Sequence, residues 1–137
     1  MPKMKAPAKL ENLEKLQTFI TDFAGNQGFS DKRIMEIELA CEEALVNIFN
    51  YAYPDEKQGD VEINCKVDHK GDCIIELVDT GQPFDLKALP DPDVNEDIDE
   101  RRIGGLGSVL IKKFVDDIKY RREQNKNFLT FKFYKQD

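Results

Sequence analysis

Residue types that bind transition metals are scarce in this chain. Among its 137 residues there is one histidine, His69, and there are three cysteines, Cys41, Cys65 and Cys73. Their spacing does not match a zinc site, which needs clustered cysteine and histidine ligands. Each cysteine lies within an apolar pattern, so the sequence predicts reduced core cysteines in a cytoplasmic protein.

Long apolar stretches and an excess of positive charge are absent as well. A membrane-spanning helix needs about 18 consecutive apolar residues, and no such run occurs here. The N-terminus also lacks the apolar core of a signal peptide. The chain carries 20 Lys and Arg residues against 27 Asp and Glu residues, a net charge of -7, which argues against nucleic acid as the main partner.

What the sequence does contain is a succession of helix and strand patterns within one domain, expected to span residues 1–137. Apolar spacing predicts an amphipathic helix over Leu10–Phe23. Ser30 has the position of an N-cap for a long helix over about Asp31–Asn50. A third helical pattern of apolar residues follows Ser108.

Strand patterns occur as two hairpins. Alternating apolar residues predict one hairpin from strands at 61–67 and 73–78, and another from strands at 117–122 and 129–133 with a turn at 124–127. Because hairpins and helices are separate along the chain, the predicted fold class is α+β. We expect a two-layer sandwich in which a mixed, mainly antiparallel sheet carries about three helices on one face.

Two segments carry no regular pattern. Residues 1–9 contain several prolines and lysines, and we expect them to be irregular or to form a short edge strand. Residues 86–103 are crowded with acidic side chains and also contain Pro90 and Pro92. This composition is typical of a solvated loop or a mobile lid.

The long helix presents a polar column opposite its apolar side. Glu43, Asn47 and Asn50 are spaced at i, i+4 and i+7, so they share one side of the helix. The apolar side consists of Ile34, Ile37, Cys41, Leu45 and Ile48. A carboxylate and two carboxamides in line can form hydrogen bonds or ligate a metal ion. The alternative interpretation is a solvated helix face, which is the commoner reason for a polar stripe.

Two glycine-containing turns follow other elements. In Asp79-x-Gly81, an apolar strand ends in a carboxylate that can accept a hydrogen bond from an exocyclic amine, while the glycine leaves room for a flat ring. In Gly104-Gly105-x-Gly107, glycines open a helix whose free N–H groups and dipole attract an anion. Taken alone, the first motif occurs in ordinary turns and the second in flexible hinges.

Together these motifs resemble those of a known superfamily. The segment Glu43–Tyr53 is similar to the N box, Asp79–Asp85 to the G1 box and Gly104–Gly107 to the G2 box of the Bergerat-fold (GHKL) ATPases. Thr130 resembles the threonine that the family places near the adenine. Within the superfamily, the sequence is most similar to the anti-sigma-factor serine-protein kinases, over roughly Leu10–Tyr134.

The resemblance implies that the chain binds ATP or ADP together with Mg²⁺ in a Bergerat ATP-binding fold. Asn47 would ligate the Mg²⁺, Asp79 would bind the adenine amino group, and Glu43 would act as the general base. Residues 86–103 would form a lid over the nucleotide. The residues expected to contact the nucleotide are Asn47, Asn50, Asp79, Gly81, Phe84, Gly104, Gly105, Leu106, Gly107, Ser108 and Thr130.

The resemblance further implies an anti-sigma regulatory factor with serine/threonine-protein kinase activity. Its substrate would be a serine of a small antagonist, the anti-anti-sigma protein. A sigma factor and a second copy of the chain are further expected partners, and direct contact with nucleic acid or membrane is not expected. A different class of function stays open, namely a nucleotide-binding module that sequesters a sigma factor or another regulator without significant kinase activity. An ATPase without a protein acceptor is a third alternative.

Overall fold

A five-stranded sheet organises the computed structural model, which describes residues 2–54, 58–83 and 105–135, with side chains in the last range from residue 109 onward. The strands are β1 (Lys3–Pro7), β2 (Asp60–Val67), β3 (Cys73–Asp79), β4 (Asp117–Glu123) and β5 (Lys126–Phe133). Their order is β1-β2-β3-β5-β4, and each described pairing is antiparallel. The expected α+β sandwich is confirmed, with an antiparallel sheet in the described residues instead of a mixed one.

The first strand lies at one edge of the sheet. β1 pairs with β2, with Lys3 opposite Asn64. Residues 1–9 were expected to be irregular or to form a short edge strand, and the structure contains the edge strand. β4 forms the opposite edge, and β3 lies in the middle between β2 and β5. Because β3 is hydrogen-bonded on both sides, its last residue, Asp79, is fixed by the rigid part of the sheet.

The described part of the chain contains three α-helices. They are α1 (Leu13–Asn26), α2 (Asp31–Tyr51) and α3 (Gly105–Phe114). A turn of 3-10 helix at Leu10–Asn12 precedes α1, so the α-helix begins later than the apolar spacing predicts. As predicted, Ser30 caps α2, because its hydroxyl accepts a hydrogen bond from the Arg33 N–H at 3.2 Å. Within the described ranges, none of the helices has the length and apolar character needed to cross a bilayer.

The core lies between the helices and the inner face of the sheet. Alternate strand residues point toward the helices, because side chains alternate between the two faces of a strand. Among the largest fully buried side chains are Phe131 and Phe133 of β5 and Leu45 of α2. The three cysteines are free and buried, as the sequence predicts, and burial raises the pKa of the Cys65 and Cys73 thiols to about 12.

A buried arginine joins α2 to the elements beside it. The Arg33 guanidinium donates hydrogen bonds to the main-chain oxygen of Phe114 at 3.1 Å and to that of Tyr134 at 3.2 Å. It also pairs with the carboxylates of Glu36 and Asp116. Phe114 ends α3 and Tyr134 follows β5, so Arg33 ties the helix that carries the polar column to α3 and to the end of the sheet.

Candidate functional site

The three members of the polar column on α2 have different surroundings. Asn47 is buried, with 5% of its surface exposed. Glu43 is half-buried, and Asn50, near the end of the helix, is exposed. The structure therefore brings Asn47 into the interior of the protein and leaves Asn50 at the surface.

Asp79 lies at the end of β3 in a buried position. Its Oδ1 atom accepts a hydrogen bond from the Gly81 N–H at 2.8 Å, which closes the turn after the strand. The same oxygen accepts a second hydrogen bond from Asn127 Nδ2 at 2.8 Å. Burial raises the pKa of the Asp79 carboxyl above its ordinary value, and the two hydrogen bonds and the charge of Arg122 oppose that rise.

Asp79 and Asn47 line the same pocket, which lies between α2 and the inner face of the sheet. Its lining residues are Ala44, Asn47, Ile48, Ala52, Asp79, Tyr120, Asn127 and Leu129. Apolar walls with a few convergent polar groups are typical of small-molecule sites. The structure thus brings together two of the residues that the sequence assigns to a nucleotide.

Gly81 is required for a close contact between the turn after β3 and the end of α2. A Cβ atom at this position would overlap the main-chain carbonyl group of Ala52, which has no freedom to move aside. The N–H of the neighbouring Gln82 donates a hydrogen bond to the same carbonyl oxygen at 2.7 Å. The contact with the helix end accounts for glycine at this position, and the expected room for a flat ring stays a prediction.

Tyr53 connects the segment after α2 to the sheet. Its hydroxyl donates a hydrogen bond to the main-chain oxygen of Asp60 at 2.6 Å and accepts one from the Thr80 N–H at 2.9 Å. Thr80 immediately follows Asp79 in the turn. The turn that positions the Asp79 carboxylate is consequently held by contacts with both Ala52 and Tyr53.

Glu43 lies one helical turn before Asn47 on α2. Burial raises the pKa of the Glu43 carboxyl, and repulsion from Glu42 raises it further. A carboxylate whose pKa is raised toward the working pH is a more effective proton acceptor than one with an ordinary pKa. The surroundings of Glu43 are thus compatible with the expected role of a general base.

Asn47 has unused hydrogen-bonding capacity inside the pocket. Among the described residues, no group pairs with its buried Nδ2 atom. A buried amide without a partner raises the free energy of the folded state by about 1–3 kcal/mol, so it indicates a place for a ligand. The oxygen and nitrogen of a carboxamide are assigned from their hydrogen bonds, and the oxygen is a ligand type that suits Mg²⁺. Asn47 therefore fits the Mg²⁺ that the sequence analysis expects.

The structure contradicts the expected position of Thr130. The residues of β5 that face the helices are Asn127, Leu129, Phe131 and Phe133. Thr130 lies on the opposite face of the sheet, across from Glu76 of β3 and Lys119 of β4. The prediction that Thr130 lies beside Asp79 is wrong, because the register of the strands turns its side chain away from the pocket.

Asn127 takes the position opposite Asp79 on the neighbouring strand. The prediction puts Asn127 inside the hairpin turn, whereas the observed turn consists of Gln124 and Asn125, with φ values of 50° and 64°. Two residues with positive φ are typical of a tight two-residue hairpin. Continuing the apolar alternation of the last strand back from Leu129 would have placed Asn127 on the inner face.

Part of the predicted site lies outside the described residues. This holds for Phe84, Gly104 and the expected lid at 86–103. Helix α3 begins at Gly105, so the segment 105–108 of the glycine motif forms its first turn, as the sequence predicts. The first N–H groups of a helix have no partner within it, which makes such a turn suitable for phosphate.

Comparisons with known sequences identify a family. Residues 6–133 match the family of the histidine kinase-like ATPase domain. The serine-protein kinase RsbW of Oceanobacillus iheyensis is 28% identical over 134 residues, which is 95% of this chain and 84% of that protein. The serine-protein kinase RsbW of Listeria monocytogenes is also 28% identical, over 95% of this chain and 85% of that protein.

Two solved structures have a similar fold. The crystal structure of the RsbU and RsbW domains of Rv1364c from Mycobacterium tuberculosis covers 98% of this chain, with a TM-score of 0.64 and 12% identity. The histidine kinase domain from the Erythrobacter litoralis EL346 blue-light activated histidine kinase covers 91%, with a TM-score of 0.58 and 15% identity. This chain spans 32% and 60% of those two chains, respectively, and at such identities the likeness concerns the fold alone.

Proposed function

The chain belongs to the histidine kinase-like ATPase domain family, and on that premise we propose that it is an ATP-dependent serine-protein kinase. The observation that carries this proposal is the pocket shared by Asn47 and Asp79. It combines a carboxamide suited to a metal-bound phosphate with a carboxylate suited to an adenine amino group. Relatives that are 28% identical over 95% of this chain are named serine-protein kinases, which supports the same activity here.

The adenine end of the proposed site is Asp79. Its carboxylate would accept a hydrogen bond from the 6-amino group of the base, a charge-assisted contact that is stronger than a neutral one. The apolar side chains of Ala44, Ile48 and Leu129 line the same pocket and would contact the faces of the ring. Burying the base against them adds about 25 cal/mol for each Å² of apolar surface removed from water.

The phosphate end would begin at Asn47, which would hold the Mg²⁺ that accompanies ATP. When bound, this ion neutralises charge on the phosphates. Magnesium sites of this type use one or two protein ligands, because phosphate oxygens and waters supply the others. A single carboxamide from α2 is therefore a sufficient contribution from the protein, and the exposed Asn50 stays a predicted nucleotide contact.

The glycine motif at the start of α3 is proposed to bind the terminal phosphates. Gly105 and Gly107 lie in the first turn of that helix, where main-chain N–H groups and the helix dipole attract anions. Leu106 and Ser108 share this turn and would contribute their N–H groups. Gly104 and the lid at 86–103 stay predictions of the sequence.

Glu43 is the proposed general base. A bond forms between the acceptor serine oxygen and the γ-phosphorus, while the bond from that phosphorus to the oxygen bridging the β-phosphate breaks. The serine proton passes to the Glu43 carboxylate, and ADP leaves with the electron pair of the broken bond. The raised pKa of the Glu43 carboxyl suits this transfer, because the difference between the pKa of the base and the working pH is smaller.

The proposed partner is a small antagonist protein that carries the acceptor serine, and the chain would also act as an anti-sigma factor by binding a sigma factor. The net charge of -7 favours a protein partner over nucleic acid. An edge strand such as β1 offers unpaired main-chain groups, so a homodimer that involves β1 belongs to the proposal. A regulator of transcription of this kind would work in the cytoplasm.

Transfer of label from [γ-³²P]ATP to a candidate antagonist protein tests the activity. Wild-type protein is expected to label a serine of the antagonist. Glu43→Gln keeps the shape of the side chain but removes the base, so transfer should fall by about 10²–10⁴-fold while ATP still binds. The matched control is Glu38→Gln, an exposed carboxylate five residues earlier on the same helix, which should retain transfer.

Other outcomes of the same experiment would overturn the proposal in distinct ways. Nucleotide binding by the wild type without any labelled antagonist would favour a module that sequesters its partner. Release of inorganic phosphate in the absence of an acceptor would favour an ATPase. Equal transfer by Glu43→Gln and the wild type would remove Glu43 from the mechanism.

A further inference from the structure

Asn127 is held in one orientation by its hydrogen bonds. Its amide oxygen accepts from the Tyr120 hydroxyl at 2.6 Å and from an Arg122 N–H at 2.8 Å. Its amide nitrogen donates to Asp79 Oδ1 at 2.8 Å and to the main-chain oxygen of Gln82 at 2.8 Å. Because arginine only donates, a reversed amide would set N–H against N–H, and the orientation is therefore unambiguous.

The same network reaches the turn that follows β3. Arg122 donates a hydrogen bond to the main-chain oxygen of Gly81 at 2.9 Å. Tyr120 and Arg122 both belong to β4, the edge strand beside β5. The hydrogen bonds thus run from the edge of the sheet through Asn127 to Asp79 on the central strand.

We propose that Asn127 is a positioning residue that aims the Asp79 carboxylate at the adenine amino group, and that Tyr120 and Arg122 hold Asn127 in place. This inference rests on the proposed function, since it assumes that Asp79 binds the base. Both amide hydrogens of Asn127 are engaged within the protein, and its oxygen accepts two hydrogen bonds. Asn127 therefore acts through Asp79 and not on the nucleotide itself.

The donor supplied by Asn127 also bears on the charge of Asp79. Burial favours the protonated carboxyl, in which one oxygen becomes a donor and is lost as an acceptor. The hydrogen bond from Asn127 opposes this effect on the pKa of Asp79. Removing the donor should therefore weaken the preference of the site for a base with a 6-amino group.

The variant Asn127→Asp tests the inference with almost no change of shape. It retains an oxygen for Tyr120 and Arg122, but it sets a carboxylate oxygen against Asp79 in place of an N–H donor. In calorimetric titrations with Mg·ATP, the affinity should fall by about 10- to 100-fold, the loss expected for a hydrogen bond to a charged group. The loss should be larger at about pH 8 than at about pH 6, because adjacent carboxylates take up a shared proton as the pH falls.

A second readout separates positioning from support of the fold. Purine riboside triphosphate lacks the 6-amino group that Asp79 is proposed to bind. The wild type should bind ATP about 10-fold more tightly than this analogue. In Asn127→Asp, the ratio of the two affinities should approach one. A residue that only supports the fold would weaken the binding of both nucleotides by the same factor.

A variant on the same strand serves as a control. Thr130 lies on the outer face of β5, so Thr130→Val should bind both nucleotides with the affinities of the wild type. If Asn127→Asp fails to fold by circular dichroism, the exposed Arg122→Met serves instead, with the same expected loss of preference for ATP. An unchanged preference and pH dependence in the folded variant would overturn this inference alone, whereas a wild type that binds no nucleotide would overturn the proposed function with it.

Discussion

At the scale of single residues, buried polarity is concentrated in one pocket. The buried polar or charged side chains of the described residues are Gln17, Arg33, Asn47, Asp72, Asp79 and Asn127. Half of these six line the pocket between α2 and the sheet, namely Asn47, Asp79 and Asn127. Burying polar groups is unfavourable unless they are satisfied, and one of the three has an atom without a partner in the described residues. Such a concentration indicates selection for binding more than for stability.

Gly81 offers a test of the contact between the turn after β3 and the end of α2. In Gly81→Ala, the added methyl would overlap the Ala52 carbonyl group, so the turn or the helix end must shift. We expect the free energy of unfolding, measured in urea, to fall by about 1–3 kcal/mol, as is typical of overpacking. ATP affinity should fall as well, because the turn positions the Asp79 carboxylate.

The matched control for this prediction is Gly25→Ala. Gly25 lies within α1, and a Cβ atom there would meet Ile34 Cδ1 at 3.8 Å, an ordinary contact. Alanine is a better helix former than glycine, so the free energy of unfolding of this variant should rise by about 0.5–1 kcal/mol. If both variants change stability in the same direction, the close contact at Gly81 is not what makes glycine necessary.

At the scale of elements, the position of α2 determines where Glu43 and Asn47 lie relative to the sheet. Its Ser30 cap fixes the start of the helix, and Arg33 fastens the first turn to α3 and to the end of β5. The turn after β3 contacts the other end of the helix at Ala52. The helix is thus anchored at both ends, with the two proposed functional residues between the anchors.

Arg33→Met should loosen this junction. It leaves the main-chain oxygens of Phe114 and Tyr134 without the arginine donor and removes the positively charged partner of Asp116. Breaking a buried charge pair costs about 3–5 kcal/mol, and the part-exposed Asp116 places the expected loss near the lower end of that range. The exposed Arg121 supplies the comparison, because Arg121→Met should change the free energy of unfolding by less than about 1 kcal/mol. If urea denaturation gave similar decreases in the free energy of unfolding for the two variants, the result would argue against the anchoring role of Arg33.

The elements themselves were predictable from the sequence, since the helices and both hairpins follow from apolar periodicity. The face on which a strand residue lies was harder to predict, because it changes with every single residue of register. Asn127 and Thr130 lie on opposite faces of β5, so an error in the extent of the hairpin turn is enough to exchange the buried residue for the outward-facing one. The role of Arg33 was not predictable either, because its partners Phe114 and Tyr134 lie 81 and 101 residues away in sequence.

At the scale of the whole molecule, the site and the fold have opposing requirements. Burial raises the pKa of Asp79 above its ordinary value of 3.8, so the folded protein holds this proton more tightly than the unfolded chain does. The contribution of Asp79 to the free energy of unfolding should therefore rise as the pH falls from the folded pKa toward 3.8. At neutral pH the charged carboxylate destabilises the fold, and the hydrogen bonds from Gly81 and Asn127 and the charge of Arg122 offset this cost in part.

Asp79→Asn separates these two requirements. The amide oxygen can still accept the hydrogen bonds from Gly81 and Asn127, but it carries no charge to desolvate. Without nucleotide, we expect the variant to unfold at the same temperature as the wild type or above it. With saturating Mg·ATP, the unfolding temperature of the wild type should rise, because a ligand that binds the folded state alone stabilises it.

Calorimetric titration of Mg·ATP into the wild type and into Asp79→Asn tests the assignment of the pocket most directly. We expect the wild type to bind one nucleotide and the variant to bind it about 10- to 100-fold more weakly, the loss of one charge-assisted hydrogen bond. Equal affinities in two folded proteins, or no binding by the wild type, would contradict the conclusion that Asp79 receives the adenine of ATP.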